Sequence, residues 1–404
     1  MAETFVIVGA GHAGGEAAAA LRLRKFKGRI VVIGDEPHVP YERPPLSKQL
    51  LSGEFEVERT YLKPRAVYDS QDIELRLGLK VEAIDRAAHS LRLSDGAELG
   101  YDKLLIATGS RVRKLPVPGA DLDGVHYVRT IADTLAIRDR LKPGARLVVV
   151  GGGYIGLEVA AVARKLGAEV AVLEALPRVM MRVVGQEIAS FYEGVHRENG
   201  VDLRLGMAVT RIEGAEQVKR VICADGAALD ADIVVIGVGI VPNIELAEAA
   251  GLEIDNGVVV DEFACTSDPD IFAAGDVTNH PNALLGGRLR LESVHNAVAQ
   301  AQTAVRAMMG DPVAYAEVPW FWSDQYGLKL QMAGISRDGD EAVVRGDPAS
   351  HKFSALYLRD GVVVAINAVN NMRDFMPTKR MIAARTRVDR EKLADSGVSL
   401  KELL

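Results

Sequence analysis

"RLVVVGGGYIGLEVAAVARKLGAEVAVLEA", residues 146–175, begins with an apolar run and passes through three adjacent glycines into an alanine- and valine-rich stretch. It then returns to a second apolar run that ends in acid. The pattern is that of a buried parallel strand, a helix and a second buried strand, a βαβ unit. Within Gly151-x-Gly153-x-x-Gly156 each glycine has a separate task. The first permits a tight turn, the second lets the backbone approach a pyrophosphate at the helix N-terminus, and the third lets helix and strand pack closely. Glu174, at the end of the second strand, sits where a carboxylate can accept both hydroxyls of an adenosine ribose and would repel a 2′-phosphate. This spacing predicts NADH over NADPH, with Arg178 and Arg182 as the cations that could reach a 2′-phosphate instead. Glu158, on the intervening helix, reads either as a ligand contact or as an exposed helix residue.

The same plan occurs earlier in the chain. Thr4 to Val8 reads as a strand, Gly9-x-Gly11-x-x-Gly14 as the loop, "EAAAALRLRK" as the helix and "RIVVIGDE" as the returning strand, closed by Asp35 and Glu36. An acid about 20 residues beyond the loop is placed for ribose hydroxyls. Each βαβ unit is followed by a short alternating meander and another apolar strand, an internal duplication at the scale of a domain. Beyond about Pro319 the texture changes to aromatics and short strands, "WFWSDQYGLKLQMAGI", and then to a basic helical tail. The expected architecture is α/β, with two Rossmann-like dinucleotide-binding domains and a C-terminal α+β domain. Residues 1–112 and 241–318 form the first dinucleotide domain in two parts, 113–240 the second, and 319–404 the C-terminal domain.

Bulk properties narrow the class. At 404 residues the chain is too long for one small core. A net charge of -7 argues against nucleic-acid binding, so any charged partner must be met by a local patch. Two cysteines, Cys223 and Cys265, far apart in sequence, provide neither a disulfide framework nor a CxxC site. The N-terminus lacks the basic start and long apolar stretch of a signal peptide, and the longest apolar run, "IVVIGVGIV" at 233–241, is about half a membrane span. A cytoplasmic protein is expected.

Two dinucleotide sites in one chain are most simply a tightly held flavin and a diffusing nicotinamide. In "DPDIFAAGDVTN" an apolar strand ends at Gly275-Asp276, which places a carboxylate for a flavin's ribityl hydroxyls; the alternative for Asp276 is a helix cap. Taken in order, "VGAGHAG", "IGDE", "RPPLSK", "ATGS", "VGGGYIGLE", "AAGDV", "ESVHNA" and "PWFWSDQ" carry a resemblance. Over essentially its whole length the chain resembles the two-dinucleotide flavoprotein reductases of the glutathione-reductase fold. Within them it is similar to the NADH-dependent ferredoxin reductases of bacterial oxygenase and cytochrome P450 systems.

That resemblance implies FAD held by Gly9, Gly11, Ala13 and Gly14, by Asp35 and Glu36 at the ribose, by Thr108 and Gly109 of "ATGS", and by Arg43, Val81, Arg129, Asp276 and Val294. It implies Lys48 near the isoalloxazine. It implies NADH at Gly151, Gly153, Tyr154, Ile155, Gly156, Glu158, Glu174, Arg182 and Gly239, with Tyr154 covering the flavin until NADH enters. Trp320 reads as a nicotinamide-pocket or electron-exit residue, or as part of an apolar core stripe. Lys48 and Glu158 are the expected catalytic pair, and no metal is required.

The implied partner is a small [2Fe-2S] ferredoxin. Such carriers are commonly acidic, and Arg373, Lys379, Arg380, Arg385 and Arg387, against only Asp374, form a candidate docking patch; the alternative is a solvated helix face. Disulfide and peroxide reductases of this fold carry reactive cysteines after the first βαβ unit. Here that place is taken by "YERPPLSKQLLSG" (41–53), which has none. Its Pro44-Pro45 corner presents Arg43 and Lys48, while Ser47 reads as a cap for the helix that follows. Rubredoxin reduction, and redox sensing like that of apoptosis-inducing factor, stay as alternatives.

Overall fold

The computed structural model describes residues 3–404, and the chain divides into two compact units. One comprises Val57–Arg111, Val241–Pro319 and the chain up to Arg43; the other comprises Pro44–Glu56, Val112–Ile240 and Trp320–Leu404. Among the described residues no helix is long and apolar enough to cross a membrane.

The first unit is built on a five-stranded parallel sheet. Its order is Ile271–Ala273, Lys103–Ile106, Thr4–Val8, Arg29–Gly34, Ile73–Leu77. Strand Thr4–Val8 is buried on both faces, as a parallel sheet covered on each side requires. Phe5 and Ile7 meet the small-residue surfaces of helices His12–Leu23 and Val294–Met308, where Ala17, Ala18, Ala301 and Ala304 bring the helices close. Val6 and Val8 face the antiparallel meander Val81–Asp85, Ser90–Leu93, Glu98–Gly100 through Ile84 and Leu91.

The second unit repeats this plan. Its parallel sheet runs Asp202–Leu205, Glu169–Glu174, Arg146–Val150, Ile233–Ile236, Val125–His126, and its meander is Val209–Gly214, Val218–Cys223, Ala228–Asp230. Val148 and Val150 pack toward that meander. The chain from Trp320 adds a five-stranded antiparallel sheet ordered Trp320–Gln325, Leu328–Gly334, Val362–Val369, Lys352–Arg359, Glu341–Asp347, with helix Met372–Ala384 against its middle strands. Strand Trp320–Gln325 also packs on helix Tyr154–Lys165. Arg345 fastens the tail: its guanidinium pairs with Asp374 at 3.1 Å and donates to the carbonyl oxygens of Leu393 and Val398.

The proline corner belongs to this second unit. Pro44–Ser47 forms a single 3-10 turn, Gln49–Ser52 a short helix that ends at Gly53 in the left-handed region, and Thr134 Oγ1 donates to the Leu46 carbonyl at 3.1 Å. Ser47 does not cap that helix. Lys48 occupies the capping position without a side-chain cap, and the serine hydroxyl is used elsewhere.

Candidate functional site: two glycine cradles and a buried carboxylate

Gly9 has φ +116°, and a Cβ there would meet the Ala107 carbonyl oxygen at 2.1 Å; a Cβ at Gly14 would meet the Gly9 oxygen at 1.9 Å. These glycines are compulsory for the backbone itself. Gly11, the N-cap of helix His12–Leu23, differs: a Cβ there meets nothing within 4 Å. Gly151, Gly156 and Gly153 reproduce the arrangement, with φ +109° at Gly151, a 2.2 Å clash with the Gly151 oxygen at Gly156, and open space at Gly153. In both loops the glycine without internal need of its hydrogen lies at a helix N-terminus, where a phosphate finds backbone N–H groups. The donors and the space fit two dinucleotides.

In the first unit, Gly9, Asp35, Val81 and Thr108 line one cavity of about 540 Å3, together with Lys80 and Arg111. Asp35 is exposed into it, whereas Glu36 is occupied by Tyr41 Oη (2.7 Å) and by Arg43 (3.1 Å). Of the two adjacent acids, Asp35 lines the cavity, while Glu36 already accepts from two side chains. Thr108 and Asn243 exchange hydrogen bonds at 2.9 Å, and Gly109 takes φ +63°. Asp276 lies beyond strand Ile271–Ala273 and accepts from Ser110 Oγ at 2.8 Å, so it is not a helix cap; Val294 begins helix Val294–Met308, which Ser293 caps. Ala13 abuts Gly275, where a Cβ would come within 3.3 Å of it. His12 titrates at about 4, because burial and then Arg43 disfavour its cation more than Asp276 favours it.

In the second unit Glu174 accepts from the Gly152 N–H at 2.6 Å and the Leu176 N–H at 2.8 Å. The carboxylate expected at the ribose thus also braces its own glycine loop. Gly239 takes φ +106°, Ile155 and Arg182 are exposed, and Arg129 precedes the capped helix Ile131–Arg140. Tyr154 lies with its ring 4.9 Å from Phe321 and its hydroxyl 2.8 Å from the Met332 sulfur, and burial pushes its pKa up. Trp320 stands on the other face of its strand, 5.5 Å from Trp322 and 6.3 Å from Phe375.

Glu158 is the most heavily engaged of these side chains. It is only 3% exposed, yet accepts three hydrogen bonds: from Lys48 Nζ (2.6 Å) and Ser47 Oγ (2.5 Å) at Oε2, and from Ser323 Oγ (2.6 Å) at Oε1. A carboxylate is buried at tolerable cost only when paired and hydrogen-bonded in this way. Lys48 also donates to the Pro44 carbonyl at 3.3 Å, so the proline turn orients the cation. Ser47 and Ser323 were not foreseen as site residues, although both lie inside marker segments, "RPPLSK" and "PWFWSDQ".

Two further placements bear on chemistry. Burial raises both thiols, Cys265 to about 11, so neither is a thiolate at neutral pH. Asp374, the one acid among the basic residues 372–387, is buried against Arg345; Arg373, Arg380, Arg385 and Arg387 are exposed, with Met372 and Met376 also at the surface. Lys379 is half-buried, its Nζ 5.9 Å from the Trp320 ring centroid.

The chain resembles known proteins over nearly its whole length. The family described as pyridine nucleotide-disulphide oxidoreductase matches residues 3–301, and that described as reductase C-terminal matches residues 320–404. The chain is 48% identical over 98% of its length to a 5,5'-dehydrodivanillate O-demethylase ferredoxin reductase subunit of a Sphingobium species, 97% of which is covered. It is 46% identical to the anthranilate 1,2-dioxygenase system ferredoxin–NAD(+) reductase component of Burkholderia cepacia, with each chain fully covered. A solved covalent putidaredoxin reductase–putidaredoxin complex contains a chain that superposes with a TM-score of 0.96 at 42% identity, covering 99% of this chain and 98% of that one. The protein belongs to the pyridine nucleotide-disulphide oxidoreductase family, and is an oxidoreductase with FAD and NAD(H) as its cofactors.

Proposed function

We propose that this protein is an NADH-dependent ferredoxin reductase that passes electrons through FAD to a [2Fe-2S] ferredoxin serving an oxygenase or cytochrome P450. The observation that carries the reading is the buried Lys48–Glu158 pair in the loop region where disulfide-using relatives keep cysteines, in a chain whose two thiols are both held protonated. With no thiol to receive electrons internally, they leave to an external carrier. The names of the full-length relatives support the same acceptor class.

When bound, FAD supplies the exchange between a hydride and single electrons. The chain's own residues prepare that exchange. In this reading FAD belongs to 1–112 and 241–318, with Asp35 at its ribose; NADH belongs to 113–240, on the Gly153 cradle with Glu174 at its ribose. Arg43, Val81, Arg129, Asp276 and Val294 are assigned to FAD, and Ile155, Arg182 and Gly239 to NADH. Lys48 has three N–H groups and spends two on Glu158 and Pro44; the third is assigned to the flavin. Because Glu158 lies 2.6 Å away, Lys48 offers a directed hydrogen bond more than a bare positive field. Glu158 has about four lone-pair sites and three donors, and the remaining site is assigned to the nicotinamide carboxamide. A cytoplasmic location is part of the same reading.

The test is NADH-driven reduction of a panel of [2Fe-2S] ferredoxins and rubredoxins, read by cytochrome c. Efficient turnover with a [2Fe-2S] carrier is expected. Turnover with rubredoxin alone, or flavin bleaching so slow that no carrier is reduced, overturns the assignment.

A further inference from the structure

Strand Trp320–Gln325 alternates, so Phe321, Ser323 and Gln325 share one face. Phe321 packs on Tyr154, and the other two are polar, with exposures of 0% and 2%. Two buried polar side chains at successive core positions are costly unless their hydrogen-bonding capacity is used. Here it is used in a single chain of contacts. Ser323 Oγ lies 2.6 Å from Glu158 Oε1, Gln325 Nε2 lies 3.1 Å from Ser323 Oγ, and Gln325 Oε1 lies 2.8 Å from His196 Nε2. His196, fully buried on helix Gln186–Glu198, has its Nδ1 3.2 Å from the Tyr326 hydroxyl.

The directions follow from the acceptor-only carboxylate. Ser323 must give its proton to Glu158, so its oxygen accepts from the Gln325 amide. The amide oxygen is then the acceptor facing His196, which donates from Nε2. Burial lowers the His196 pKa to about 4, so the ring is neutral and its Nδ1 accepts from Tyr326. Every donor in the series therefore points toward Glu158, and no member can turn without leaving a buried polar atom unpaired.

We propose that Ser323, Gln325 and His196 are positioning residues that fix the orientation of the Glu158 carboxylate for NADH, making the C-terminal domain part of the hydride-transfer apparatus. This rests on the reading of Glu158 as a nicotinamide contact. Lys48 and Ser47 both act on Oε2; Ser323 alone secures Oε1, and so sets the rotation of the carboxylate plane.

The FAD-loaded protein and its variants are mixed anaerobically with NADH in a stopped-flow instrument. The Glu158 antisymmetric carboxylate stretch is assigned by its loss in Glu158→Gln. Ser323→Ala is expected to lower the limiting rate of flavin reduction about 10-fold and to shift the stretch, with unchanged FAD content and a melting temperature lowered by a few degrees because Glu158 and Gln325 each lose a buried partner. Ser323→Thr restores both. In a Glu158→Gln background Ser323→Ala causes no further loss, because it acts through the missing group. A wild-type rate and stretch in Ser323→Ala, or a full additional loss in the Glu158→Gln background, overturns the proposal. Should Ser323→Ala fail to fold, Gln325→Met carries the same test, with a shifted stretch and a rate lower by about 3-fold expected. Failure of the wild type to be bleached by NADH would sink the proposed function instead, while the infrared shift would still report on the positioning.

Discussion

The two glycine loops are the same object built twice, and their differences are more instructive than their likeness. Gly9 and Gly151, with φ +116° and +109°, turn the chain at equivalent points; Gly14 and Gly156 each press on the carbonyl oxygen of the first glycine; Gly11 and Gly153 each face open space. Two residues after the third glycine both helices carry a glutamate. Glu16 is half-buried and, among the described residues, takes no hydrogen bond from another side chain, whereas Glu158 is buried beneath Lys48, Ser47 and Ser323. The closing acids differ in the same sense: Asp35 is open to a cavity, and Glu174 is tied to two backbone N–H groups. Backbone sterics make the cradle, and the residues packed over it decide what the cradle is for.

The comparison can be broken at its backbone first. Gly9→Ala, with φ +116° and a carbonyl oxygen 2.1 Å from the new Cβ, is expected to destabilise by about 3 kcal/mol or more and to abolish soluble holoprotein, while Gly11→Ala keeps the melting temperature of the FAD-free protein and loses FAD on gel filtration. Equal losses from the two would refute the division of labour within the loop. Next in size, Glu158→Gln should slow NADH-driven flavin reduction about 10²-fold and also weaken the fold, because breaking a buried pair costs about 3–5 kcal/mol. Its counterpart Glu16→Gln should stay within about 0.5 kcal/mol by thermal melting and leave the rate unaltered.

Lys48→Ala should retain FAD yet reduce about 10-fold more slowly; an unaltered rate and flavin potential would strip Lys48 of its role. Glu174→Ala should shift the NADH/NADPH ratio of kcat/KM toward NADPH by about 10-fold, and Asp35→Ala should leave that ratio where it was, which separates the two closing acids. The smallest effect concerns the surface. Reversing charge at Lys379 and Arg380 should weaken ferredoxin reduction a few-fold at low salt and vanish at high salt, and equal kinetics at low salt would return that helix to a plain solvated face.

Much of this arrangement was legible in the chain because it depends on local chemistry. A glycine that must take positive φ, an apolar run buried on both faces and an acid at a strand end are short-range patterns, and they located both cradles. Residues whose roles depend on distant partners were misread or missed. Ser47 looked like a cap and is a donor to a carboxylate 111 residues away; Asp374 looked like a counter-charge on a basic surface and is buried beneath Arg345. That Glu36, unlike its neighbour Asp35, is held by Tyr41 and Arg43 is visible only in the fold.

By itself the sequence determined the duplicated α/β plan, the two dinucleotide cradles and the absence of a redox thiol from residues 41–53, because each follows from residue type and spacing along one segment. Only the tertiary structure decided that Lys48, Glu158, Ser47 and Ser323 form one buried cluster. Those residues come from a proline turn, a helix and a strand up to 276 positions apart, and a buried charge selects its partners by three-dimensional packing that no local pattern encodes.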